Sequence, residues 1–222
     1  MKHNPKAIIF DWDGTLAETR SAVVDSMEYV LKHYGKEPWD ITKAKYRDTN
    51  KSLKENFSNF FGKQADEAYQ LYLEYYEKHG YHKIKPKPNA DKFMKLCEGK
   101  NIDLYVVSNK ERKLLLKEVS QCYPTVKFKK ILANGDAPHN KPAPDPVFVA
   151  LKDNTTPINR DNVFLVGDSK QDTDCAMNAS VYPVLVGKGN FMDDAYVNKE
   201  SSSKKLLHVN DFEDLTTLIK GK

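Results

Sequence analysis

The chain has 222 residues, 40% of them hydrophobic and 30% charged, with a net charge of +4. That composition is ordinary for a water-soluble protein large enough for one big domain, or a domain with an insert. The near balance of charge argues against a nucleic-acid arm or a membrane-binding face.

From the N-terminus the first apolar run is Ala7–Phe10, far too short for a signal segment or a membrane span. It predicts a buried strand. Three further runs, Leu104–Val107, Ile131–Ala133 and Val163–Val166, predict parallel strands, and Val184–Val186 after Pro183 predicts a fifth. The runs are continuous rather than alternating, as expected when helices cover both faces of a sheet. Helical spacing fills most of the gaps: a helix after Asn89, then Lys110–Val119, Pro146–Leu151 and Gln171–Asn178. This alternation predicts an α/β fold with a parallel sheet and right-handed crossovers.

Residues 17–85 break the alternation. Met27, Val30, Leu31 and Tyr34 recur at helical spacing before Gly35, a C′ candidate. Leu53, Phe57, Phe60 and Phe61 predict another helix, and Ala65, Ala68, Tyr69, Tyr72, Leu73 and Tyr76 a third that stops at Gly80. Lys83–Asn89, with two prolines, reads as a hinge. The expected organisation is an α/β core from residues 1–16 and 86–222, with an all-helical insert at 17–85. The tyrosine stripe reads as bundle core, Ser201–Ser203 as a surface loop and Asp211–Ile219 as a terminal helix.

Four segments at predicted strand ends carry the chemistry. In Asp11-Trp12-Asp13-Gly14-Thr15-Leu16, side chains two apart in extended chain share a side, so Asp11 and Asp13 bring two carboxylates together. Such a pair asks for a proton or a hard divalent cation. Ser108-Asn109 places a hydroxyl and a backbone N–H where a helix begins, a setting for an anion or simply a helix cap. Lys141-Pro142-Ala143-Pro144 directs an ammonium from a stiff loop, or leaves it solvated. Asp168 ends a strand and Asp172 follows one helical turn on, where it also suits the helix N-terminus. In open α/β sheets this carboxyl edge is where ligands bind. The six histidines show no metal-ligand spacing, and Cys97, Cys122 and Cys175 form no CxxC. They read as free thiols in a reducing, cytoplasmic setting. Trp12 is given no chemistry, and Cys175 reads as a packed small side chain.

Together these segments resemble the haloacid dehalogenase-like hydrolase superfamily, in its phosphoglycolate-phosphatase-like branch. Asp11–Leu16 looks like its first motif, Ser108 its second, Lys141 its third, and Asp168 with Asp172 its fourth. The helical stretch looks like its type 1 cap, inserted between the first two motifs. Ser180 stands where that family usually has glycine. The resemblance implies a Rossmann-like core and a Mg²⁺-dependent phosphatase acting on a small phosphorylated metabolite through an aspartyl-phosphate. It implies Asp11 as nucleophile, Asp13 as acid and base, and Mg²⁺ on Asp11, Asp168 and the Asp13 carbonyl. Thr15, Ser108, Asn109 and Lys141 then bind the phosphoryl group, and Asp172 steadies Lys141 or a metal-bound water. Arg47, Asn50 and Lys51 of the insert are candidates for reading the rest of the substrate. A phosphomutase shares all four motifs, and a non-catalytic binding protein is the alternative of another class. Asp13 counts against a dehalogenase. A monomer or weak homo-oligomer is expected.

Overall fold

The computed structural model describes residues 4–38, 48, 51–190, 194–203 and 205–220. In chain order the first half holds β1 (Ala7–Phe10), β2 (Ala17–Glu18), α1 (Arg20–His33), α2 (Leu53–Phe61), α3 (Ala65–His79), β3 (Lys85–Pro86), α4 (Ala90–Gly99) and β4 (Asp103–Val107). The second half holds α5 (Arg112–Cys122), β5 (Lys130–Leu132), α6 (Asp145–Leu151), β6 (Val163–Ser169), α7 (Lys170–Asn178), β7 (Tyr182–Asn190), α8 (Asp194–Ser202), β8 (Leu207–Val209) and α9 (Phe212–Lys220).

Six strands form one sheet in the order β5-β4-β1-β6-β7-β8, and every pairing in it is parallel. β1 lies inside it, with Ile8 opposite Leu104 on one side and Phe164 on the other. All four β1 residues are fully buried, because successive side chains face opposite helical layers. Ile8 and Phe10 join Phe93 of α4 and Phe212 of α9; Ala7 and Ile9 join Val147 of α6 and Ala176 of α7. Phe10, Phe93 and Phe212 pack as an aromatic triad with centroids 5.6–6.3 Å apart.

The chain leaves this core through β2 and returns through β3, which pair antiparallel. Between them lie α1, α2 and α3, as the spacing predicts. α1 is followed by Gly35 at φ 60°, the left-handed position that glycine tolerates best. α2 starts in a capping box: Ser52 accepts from the Glu55 N–H, and Glu55 accepts from the Ser52 N–H. α3 carries Asp66 and Glu67 in its first turn and Lys78 and His79 in its last, matching the helix dipole. Phe57 packs edge-on against Tyr69 and Tyr72, at 5.0 and 5.6 Å, so the aromatic stripe is indeed interior to the helices.

Some expectations need correction. Ser201 and Ser202 close α8 rather than forming a loop; Val197 anchors that helix in a small cluster with Leu185 and Leu206. Asn89 precedes α4 but sits at φ 62° and makes no side-chain cap; its side-chain Oδ1 accepts from Lys92 Nζ instead. α5 begins at Arg112, not Lys110, because the chain from Ser108 to Lys110 is committed to the site described next.

Candidate active site

The sheet ends assemble the site. The Asp11 N–H donates to the Val166 carbonyl at 2.8 Å, extending the ladder by one bond and fixing Asp11 at the tip of β1. The chain then turns sharply: the N–H groups of Thr15, Leu16 and Ala17 all converge on the Trp12 carbonyl at 3.0–3.2 Å. Gly14 at φ 84° permits the turn. On β6, Asp168 is buried beside Asp11. Ser169 caps α7: its hydroxyl and N–H both donate to Asp172 Oδ2, at 2.5 and 3.1 Å. Gly167 is required here, since a Cβ on it would overlap the Asp172 side chain.

Lys141 joins the acids. Its ammonium donates to Asp11 Oδ1 and Asp172 Oδ1, each at 2.6 Å, with 2% of its side chain exposed. Its backbone is pinned by Asn109, whose amide donates to the Lys141 carbonyl at 2.9 Å and accepts from the Lys141 N–H at 3.1 Å. Asn109 therefore holds the lysine's main chain. Burial pushes the Asp11 carboxyl well up; Asp172, Asp168 and Asp13 add to this and the Lys141 ammonium opposes it. For Lys141, burial favours the neutral amine, but Asp11 and Asp172 outweigh it and raise the ammonium above its usual range.

Among the described residues, Asp11, Asp168 and Asp172 each offer a carboxylate oxygen within 4.8 Å of the others. Three buried carboxylates face one ammonium, and all these donors are oxygens, a set that fits a hard divalent cation. Asp172 is engaged on both oxygens, by Lys141 on Oδ1 and by Ser169 on Oδ2. The carboxylate of Asp13 points elsewhere: its Oδ1 accepts from Lys110 Nζ at 2.7 Å and from the Thr19 hydroxyl at 2.5 Å. The resemblance implies its main-chain carbonyl as a ligand. Thr15 is fully buried, and its hydroxyl reaches Asp168 Oδ1 at a long 3.4 Å.

A cavity of about 200 Å³ opens over these groups. Its floor is Asp11, Asp13, Ser108, Lys141 and Asp168; its roof is Val23, Leu53, Tyr69 and Tyr72 of the inserted helices. Lys51 lines it too, with its side chain 46% exposed, and its main-chain carbonyl accepts from Gln171 at 3.0 Å. Arg47 and Asn50 lie outside the described residues. Of the sequence candidates in the core, Asp11, Asp13, Ser108, Asn109, Lys141, Asp168 and Asp172 all line this one cavity; Thr15 sits behind Asp168.

Sequence reasoning missed Lys110, Glu118 and Tyr76. Glu118 is wholly buried and receives Trp12 Nε1 at 2.6 Å, Tyr76 OH at 2.7 Å and Lys110 Nζ at 3.1 Å. A signal was present: an acid placed one turn after Leu114 and Leu115, on the buried stripe of α5.

A parallel α/β sheet with acids and one lysine at its carboxyl edge, roofed by inserted helices, defines a hydrolase of the aspartate-centred α/β class. The sequence profile of the haloacid dehalogenase-like hydrolases matches residues 8–186, and the chain belongs to that family. It is 27% identical over 192 residues to a phosphoglycolate phosphatase of Neisseria meningitidis, covering 83% of this chain and 81% of that one. It is 23% identical over 218 residues to the pyrophosphatase PpaX of Oceanobacillus iheyensis, covering 96% of each. Among solved structures, a hydrolase of the same superfamily from Ehrlichia chaffeensis superposes with a TM-score of 0.64 at 25% identity, over 99% of this chain and 98% of that one. CbbY from Rhodobacter sphaeroides, in complex with phosphate, superposes with a TM-score of 0.77 at 19% identity, over 95% and 96%.

Proposed function

We propose that this hydrolase is a Mg²⁺-dependent phosphatase that cleaves a small phosphorylated metabolite through an aspartyl-phosphate on Asp11. The observation that carries this reading is the convergence of Asp11, Lys141, Asp168 and Asp172 at the sheet's carboxyl edge, in a cavity of about 200 Å³. That volume suits a small substrate, and relatives named phosphoglycolate phosphatase and pyrophosphatase point the same way.

An oxygen of Asp11 bonds to phosphorus as the bond from phosphorus to the leaving oxygen breaks. Asp13 gives that oxygen its proton. A water oxygen then bonds to phosphorus and passes a proton back to Asp13, the acyl-phosphate bond breaks, and inorganic phosphate leaves. Lys141 and Ser108 hold equatorial phosphoryl oxygens, with Asn109 fixing Lys141 and Thr15 behind Asp168. A magnesium ion on Asp11, Asp168 and the Asp13 carbonyl would supply positive charge beside the phosphoryl group. Many groups are needed, because acceleration of monoester hydrolysis can approach ~10²¹-fold, roughly 28 kcal/mol. One general acid supplies only about 10²–10⁴. Residues 17–85 act as a cap that excludes water from the intermediate, and Arg47, Asn50 and Lys51 read the leaving group.

The test is hydrolysis of 4-nitrophenyl phosphate with Mg²⁺ and after chelation, for the parent and Asp11→Asn, followed by a screen of phosphoglycolate, pyrophosphate and sugar phosphates. Turnover should need the metal and vanish in Asp11→Asn, while its circular dichroism matches the parent's. Turnover that survives either change overturns the reading.

A further inference from the structure

The buried cluster of Trp12, Tyr76, Lys110 and Glu118 has no part in the mechanism above, yet it ends on Asp13. Lys110 is 8% exposed and brings a positive charge into a largely dry place. Three partners surround its ammonium: Asp13 Oδ1 at 2.7 Å, Tyr76 OH at 3.0 Å and Glu118 Oε1 at 3.1 Å. It also lies 4.8 Å from the centre of the Tyr76 ring. Glu118 supplies the compensating charge, and its other oxygen is fixed by Trp12, the residue between Asp11 and Asp13. Tyr76 comes from α3, so the inserted helices complete the cluster. A buried polar network with every member partnered is rigid.

Among the described residues, both donors to Asp13, Lys110 and Thr19, land on the same oxygen, Oδ1. The carboxyl group is thus held through one atom, and Oδ2 is left for the transferred proton. We infer that Lys110 is a positioning residue for Asp13, held in place by Glu118 and Tyr76, and that it sets the orientation in which Asp13 protonates the leaving oxygen. The inference rests on the proton-transfer role proposed for Asp13. In the step concerned, an Asp11 oxygen bonds to phosphorus, the electron pair of the broken P–O bond stays on the leaving oxygen, and that oxygen takes the proton from Asp13 Oδ2. An alkoxide leaving group depends on that proton; a nitrophenolate leaves without it.

The experiment compares kcat/KM for phosphoglycolate and for 4-nitrophenyl phosphate, using the full chain with Mg²⁺. This parameter reports transition-state stabilisation relative to the free enzyme and substrate. Lys110→Met should lower the ratio of alkyl to aryl kcat/KM by about 10–100-fold, a part of the ~10²–10⁴ that a positioned acid supplies. Lys110→Arg should restore part of the ratio. Because Lys110→Met strands a buried carboxylate, the double variant Lys110→Met with Glu118→Gln is measured as well, and should show the same shift in ratio. Equal losses on both substrates, or no loss, would overturn the inference, since the lysine would then serve the phosphoryl group, the fold or nothing. Asp13→Asn separates the two claims. If it also affects both substrates equally, the acid role of Asp13 falls and the inference with it. If it is selective while Lys110→Met is not, only the inference falls.

Discussion

Lys141 stands between Asp11 and Asp172, 2.6 Å from each, where almost no water reaches it. Its positive charge offsets the repulsion between the two carboxyl groups it joins. Removing one partner from such an arrangement typically costs about 3–5 kcal/mol, since the remaining charges stay buried and uncompensated. Lys141→Met should therefore lower stability by that order and abolish turnover. Added Mg²⁺ should raise the melting temperature of the variant more than that of the parent, since a cation beside Asp11 would take over the lost charge. Equal shifts in the two proteins would show that the cation does not share the lysine's partners. Asp11 and Asp168 were legible because each sits where an apolar run stops, Asp172 because it follows one turn on, and Lys141 because two prolines stiffen the loop after it. The partners of Asp13 were not. Lys110 reads in the sequence only as the first residue of a helix, and its pairing with a buried Glu118 is what marks it out. That pairing spans eight positions and a helix start whose place was misjudged.

At the scale of elements, the turn from α7 to β7 shows how a local rule is broken at some cost. Ser180 donates its N–H to the Met177 carbonyl and Val181 to the Ala176 carbonyl, at 3.1 and 3.0 Å. That is the Schellman pattern, with Ser180 at the C′ position and φ 57°. A side chain in this left-handed conformation costs roughly 1–2 kcal/mol, which glycine avoids. Ser180→Gly should stabilise the protein by about 1 kcal/mol, read from the midpoint of urea unfolding at unchanged slope. A midpoint that falls would show that the serine is favoured by something other than its backbone. The strands that were legible, β1, β4, β5, β6 and β7, each carry a short apolar run, continuous where helices cover both faces. β8 was missed because it lies at the sheet edge, where only Val209 of its three residues is fully buried and His208 is exposed. β2 and β3 have two residues each, too few for any periodicity to register. The inserted helices were found because their aromatic spacing is long and regular.

Across the whole molecule, burial governs the thiols. It pushes Cys97 and Cys175 up to about 12 and Cys122 to about 11, against 9.0 for an ordinary thiol. Below 9 the folded and unfolded chains carry the same protons at these sites. From 9 towards 12 the unfolded thiols ionise while the buried ones cannot, so this contribution to stability is lost as pH rises through that window. At pH 9, iodoacetamide should leave Cys97 and Cys175 untouched in the native protein, label the half-buried Cys122 slowly, and label all three in denaturant, as read by mass spectrometry. Rapid native labelling of Cys97 would contradict the packing described for α4. The position of β1 carries a consequence of another kind, in time rather than in space. Its two neighbours are β4, which begins at Asp103, and β6, which begins at Val163. At the usual pace of synthesis, about 5–20 residues per second, the innermost strand waits roughly 5–20 s for its first partner, and longer for its second. During that interval the inserted helices, whose contacts are local, can already form. The central strand of the sheet is therefore made early and buried late, and Ala7–Phe10 is the segment that most needs shielding while the chain is being made.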